Sequence, residues 1–254
     1  MYTALLRDTT IMSDQTKKFC VLTVGRAGST SLMNVLECFP DIAVPNKNIP
    51  CVDNELVHPK RVQEHLKRYS ALCGAPITSP DQLIDCFFAH NAAFAYAGFK
   101  TMPNRHKNLA AFVARPDIRF ITLKRQDIAS TVASFLLAMK TDSWRRFGEP
   151  PQTTWKFVAA QDGPPARNNL TYILHSLAQL SRVPNAIRLT YEELCDPHFH
   201  SPALDDFFGR PIKLDDPKPP TSASTYVENW DEFRAFIDEA SRTFAAQAGQ
   251  KPGG

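Results

Sequence analysis

Residues 19–24 (FCVLTV) form an apolar run with β-branched members, closed by Gly25, and predict a short buried strand. From Ser29 the period changes. Leu32, Val35, Leu36 and Phe39 recur at i, i+3, i+4 and i+7, the stripe of an amphipathic helix that Pro40 and Asp41 end. This unit of strand, glycine-containing turn and helix recurs in outline. Residues 96–100 (YAGFK) predict a short strand, and residues 118–123 (IRFITL), introduced by Pro116 and Asp117, a stronger one followed by a helix over about 127–139. Leu170, Ile173, Leu174, Leu177 and Leu180 mark another helix, and residues 186–189 another strand. Trp230, Phe233, Phe236 and Ile237 give a last helical stripe, with Trp230 as its core anchor. Strands alternating with helices predict an α/β fold, a single domain with a short, mostly parallel β-sheet flanked by helices.

Between these elements, residues 147–165 are rich in Pro, Gly and Gln, and residues 211–220 carry four prolines. Both stretches predict surface loops, placed to act as lids. The domain is expected over residues 19–246, between a flexible N-terminal segment (1–18) and a flexible tail (247–254).

Composition narrows the class. At 254 residues, 43% hydrophobic and 22% charged, the chain sits at the globular average and can bury a core unaided. Its longest apolar runs, such as residues 132–139, contain Ser134 and fall short of the roughly 20 residues of a membrane helix, so no membrane span is expected. The first eighteen residues carry Arg7, Asp8, Asp14, Lys17 and Lys18, a poor match to a secretory signal. The six cysteines are scattered without a CxxC pair or a metal-ligand spacing, which predicts reduced thiols, a cytoplasmic setting and no metal site. A net charge of +3 suits a small polyanionic ligand and argues against nucleic acid as a partner.

The chemistry concentrates in the first turn. Gly25, Arg26, Ala27, Gly28, Ser29, Thr30 and Ser31 combine close backbone approach, amides at a helix N-terminus, three hydroxyls and one fixed cation, a set suited to phosphate. A triphosphate loop would read GxxxxGK followed by Ser or Thr, and Ser29 follows Gly28 here instead of lysine. A plainer reading is a tight turn whose Ser29 caps the helix. A second candidate is Arg125, after the strand at 118–123, with Ser134 nine residues on and Ser130 as the other possible hydroxyl. The arginine fork suits a phosphate, though a strand-end arginine and a helix serine are also commonplace on a solvated surface.

In this order the two segments resemble the 5′- and 3′-phosphate motifs of the sulfotransferases that use 3′-phosphoadenosine 5′-phosphosulfate (PAPS), bacterial members in particular. The Arg125 to Ser134 spacing is one residue longer than in many members. Residues 189–194 (LTYEEL) are similar to the family's Y-E-D/E-L segment, whose tyrosine, here Tyr191, lies near the adenine. Residues 98–102 (GFKTM) are similar to its KTH segment, and residues 226–230 (YVENW) to a closing segment of bacterial members.

The resemblance implies a P-loop-like nucleotide-binding fold and a sulfuryl transfer from PAPS, as co-substrate and without a metal, to a hydroxyl or amine of a small-molecule, glycan or lipid acceptor. Arg26, Ala27, Gly28, Ser29, Thr30 and Ser31 would hold the 5′-phosphate, Arg125 and Ser134 the 3′-phosphate, and Lys100 would be a second cation at the reacting end. Met102 stands where the family has its histidine, which leaves the base among Glu55, His58 and His106, with Glu55 the first choice. The acceptor pocket is expected from residues 45–68 and 147–165, with Phe147, Trp155 and Phe157 for apolar contact. Two other readings stay open: an ATP-dependent P-loop kinase, and a nucleotide-binding module without catalysis.

Overall fold

The computed structural model describes residues 16–45, 54–59, 61–142, 154–213 and 223–249. Within them the strands β1 (Lys17–Thr23), β2 (Ile42–Ala43), β3 (Tyr96–Thr101), β4 (Ile118–Lys124) and β5 (Ile187–Thr190) form one all-parallel sheet in the order β2-β3-β1-β4-β5. β1 is the centre of that sheet, paired with β3 on one side and β4 on the other. A strand covered on both faces has no solvent side to give to charged residues, hence the apolar run at residues 19–22.

The side chains of β1 alternate between two cores. Cys20, Leu22 and Val24 join Ala97, Phe99 and Phe120 beneath α2 (Val62–Cys73), α3 (Pro80–His90), α5 (Ile128–Thr141), α6 (Ala159–Ser181) and α9 (Trp230–Gly249). Phe19 and Val21 join Ile121, Leu123, Ile187 and Leu189 beneath α1 (Ser29–Cys38) and α8 (Pro202–Phe208). Each fully buried leucine or phenylalanine contributes about 1.5–3 kcal/mol. Gly98, the register partner of Phe19, makes room for this ring: a Cβ there would lie 2.4 Å from it. Two short helices, α4 (Leu109–Val113) and α7 (Tyr191–Leu194), complete the named elements. Among the described residues no helix is long and apolar enough to cross a membrane.

The structure corrects the sequence reading at four places. β1 begins at Lys17, two residues before the expected domain start, because Lys17 and Lys18 are already in register with Tyr96 and Ala97. The predicted loop at 147–165 is helical from Ala159 onward, in spite of Pro164 and Pro165. Buried Asp162 accounts for this: its carboxylate accepts the Val158 N–H at 3.0 Å and pairs with Lys140 at 2.7 Å, fixing the first turn before the prolines enter.

Trp155 and Phe157 belong to the core instead of an acceptor pocket, at 8% and 2% exposure. Backbone bonds hold Trp155 to Tyr226 and Glu228, the Asn229 side chain holds Phe157 on both its N–H and its carbonyl, and both rings pack on Phe233. Finally, Cys73 and Cys86 form a disulfide between α2 and α3, so the reading of six reduced thiols, on which the cytoplasmic setting rested, does not hold for this pair. Cys20, Cys38 and Cys195 are free, and Cys51 lies outside the described residues, as do Phe147 and most of the proline-rich stretch at 211–220.

Candidate functional site

α1 follows β1 on one face of the sheet, and α5 follows the adjacent β4 on the other. Where helices leave neighbouring parallel strands on opposite faces, their N-termini part and open a crevice at the carboxyl ends of the strands. The turn 25–31 follows β1 at that end of the sheet, and Arg125 follows the adjacent β4.

The turn is shaped by two left-handed residues, Arg26 (φ 68) and Gly28 (φ 78). Gly28 is the N-cap of α1 and no side chain caps it, so the plainer reading with Ser29 as cap is not realised; Ser29 is the first helical residue. The leading amides of α1, at the positive end of its dipole, thus have no cap side chain answering them. Two cations reach this turn. The Arg26 Nε donates to the Ser134 Oγ at 2.9 Å, joining the two phosphate-type segments directly. The Lys100 ammonium, only 5% exposed, donates to the Thr30 Oγ1 at 3.1 Å.

Arg125, 8% exposed, lays its guanidinium 4.6 Å from the centre of the Tyr191 ring. The same ring closes on the turn, for a Cβ at Gly28 would lie 2.6 Å from its edge. Ser130 is not available for a ligand in this arrangement. Its N–H and hydroxyl both donate to the carboxylate of Asp127, the N-cap of α5, at 2.9 and 2.6 Å. Ser134, one turn further along, is the helix hydroxyl that meets Arg26.

A second group of side chains follows from the end of β3. The Lys100 N–H donates to the Asn54 carbonyl, and Glu55 forms a lone parallel bridge with Lys100. This places Glu55, 4% exposed, in an ion pair with Arg105 at 3.0 Å. The Tyr172 hydroxyl donates to the Met102 sulfur at 3.2 Å, and burial is the main cause of its pKa lying above the usual tyrosine value, with Arg105 and Glu55 close enough to act on it electrostatically. Its ring meets Phe135 edge-on.

His106 stacks on Phe112 with ring centres 4.0 Å apart, while its Nε2 shares a hydrogen bond with the Thr101 hydroxyl at 3.1 Å. Burial pushes its pKa down to about 4, which makes it a weak proton acceptor. The His58 carbonyl accepts from Arg61 and Val62 at the start of α2.

Of the residues singled out in the sequence, Arg26, Thr30, Lys100 and Ser134 are thus linked by hydrogen bonds around one turn, and Gly28, Tyr191 and Arg125 stand in contact beside it. Arg105 and Tyr172 were not foreseen. The only sequence cue for Arg105 is its place three residues after Met102, and Tyr172 lies between the stripe positions Leu170 and Ile173 of a helix that reads as core. No family model matches the chain, and no curated protein matches it in sequence.

Proposed function

We propose that this chain transfers a sulfuryl group from PAPS to a hydroxyl or amine of an acceptor, on a P-loop-like sulfotransferase fold. The observation that carries the reading is that Arg26 and Lys100 meet at the first turn of α1, whose N-cap has no side-chain cap, and that the Tyr191 ring bridges this turn to Arg125. Three cations around one turn suit a nucleotide that carries more than one phosphate group.

PAPS supplies an activated sulfur. The acceptor atom attacks it in line while the bond from sulfur to the 5′-phosphate oxygen breaks, and the electron pair leaves with that oxygen. Arg26, Lys100 and the α1 amides offset the charge that develops there, and Ser134 joins Arg125 at the 3′-phosphate. Glu55 takes the acceptor proton, with Arg105 holding its carboxylate in place.

Thermal unfolding with adenosine 3′,5′-bisphosphate in EDTA, compared with Mg-ATP, tests the nucleotide. At a bisphosphate concentration of 100 times its Kd the expected stabilisation is about 2.7 kcal/mol. Labelled PAPS offered with a panel of alcohols, phenols, sugars and amines then tests transfer. Stabilisation by Mg-ATP alone would replace the reading with a kinase, and bisphosphate binding without transfer to any acceptor would leave a binding module.

A further inference from the structure

α7 is a helix of four residues, each with a separate job. Tyr191 carries the Arg125 guanidinium on its ring. The Glu192 carboxylate accepts the N–H of Gln126 at 3.0 Å and of Asp127 at 3.3 Å, the two amides directly after Arg125. Glu193 closes a capping box with Thr190, and Leu194 is buried in the core on the α1 face. The helix is therefore fixed by its own cap and its core contact, and its first two side chains hold the end of β4 around Arg125, Tyr191 at the guanidinium and Glu192 at the two amides that follow it.

We infer that α7 is a clamp on Arg125: Tyr191 and Glu192 are positioning residues that aim its guanidinium at the 3′-phosphate and thereby set the preference for nucleotides that carry one. A long side chain with many rotamers loses phosphate affinity when it must be ordered on binding. A flat ring against the guanidinium restricts its rotamers beforehand, so less order has to be imposed when phosphate binds. The inference rests on the reading above that Arg125 meets the 3′-phosphate. It gives Tyr191 a different task from the adenine contact that its motif implies, since the ring is already engaged by Arg125 and Gly28.

The test is calorimetric titration of the full chain with adenosine 5′-phosphate and adenosine 3′,5′-bisphosphate. Wild type is expected to prefer the bisphosphate by about 30- to 100-fold, the scale of one charge-assisted pair. Tyr191→Leu should cut that preference at least tenfold and leave affinity for adenosine 5′-phosphate within about twofold, whereas Tyr191→Phe, which keeps the ring, should retain it within about threefold. Glu192→Gln keeps the ring but loosens the turn, and should lower the preference too; it carries the test if Tyr191→Leu does not fold. Equal weakening of both nucleotides in Tyr191→Leu would place the ring on the base and overturn the clamp. Full preference in both Tyr191→Leu and Glu192→Gln would also overturn it. Failure of the underlying reading is distinguishable, because wild type itself would then show no preference.

Discussion

Arg26 adopts a left-handed backbone that costs a non-glycine residue about 1–3 kcal/mol. That position gives up stability for a cation at the mouth of the crevice, the kind of local conflict that functional sites show. Arg26→Ala is expected to stay folded and to lose on the order of 10² to 10³ in turnover with labelled PAPS, as when a main charge-stabilising donor is deleted. Near-normal turnover in the folded variant would remove Arg26 from the reacting end. His106 gives a prediction about pH. Its folded pKa of about 4 lies below the ordinary 6.5 of an unfolded histidine, so between these values the unfolded chain binds the extra proton and stability rises with pH. The contribution is complete above about pH 6.5 and is lost as pH falls towards 4. The thermal midpoint of wild type should thus fall more steeply between pH 7 and pH 4.5 than that of His106→Gln; parallel curves would mean His106 is not held neutral by its surroundings. At this scale Arg26, Lys100, Arg125 and Ser134 were legible because charged or hydroxyl residues stand out beside apolar strands. Arg105 and Tyr172 were not, since their place at the site depends on contacts across 50 and 70 residues of chain.

At the level of elements, the alternating pattern located β1, β3, β4, β5, α1, α5 and the body of α6, each within a few residues. It missed β2, which has only two residues, and α2 and α3, although Gly74 ends α2 and Ser79 with Pro80 opens α3. These two helices carry the disulfide, with Cys73 and Cys86 separated by 13 residues. Closing a loop of this size restricts the unfolded chain and is worth about 3 kcal/mol on the chain-entropy account. Blocking free thiols without reductant, followed by digestion and mass analysis, should recover the Cys73 and Cys86 peptides as one linked species. Reductant should lower the thermal midpoint of wild type and leave Cys73→Ala unchanged. Recovery of both peptides as separate blocked thiols would return these cysteines to the reduced state the sequence suggested. The start of α6 shows why composition alone misled. Proline and glycine content describes local backbone preference, whereas the Asp162 pair with Lys140 on α5 is tertiary and outweighs it.

On the scale of the molecule, the α/β class and the parallel sheet followed from alternation, but the strand order did not. Nothing in the sequence of 19–24 says that its partners are β3 and β4 instead of the nearer β2, because every strand offers the same backbone hydrogen bonds. That order has a consequence in time. β1 sits near the start of the chain, yet both of its neighbours come roughly 75 to 100 residues later, so at about 5–20 residues per second a ribosome takes on the order of 5–20 s to deliver them. Until then the central strand of the sheet has both edges unpaired and both faces exposed, and the turn that bears Arg26 has neither Lys100 nor Ser134 to bond. The candidate site therefore comes into being only after β4 has been made, and nascent β1 is where chaperone binding and aggregation should concentrate.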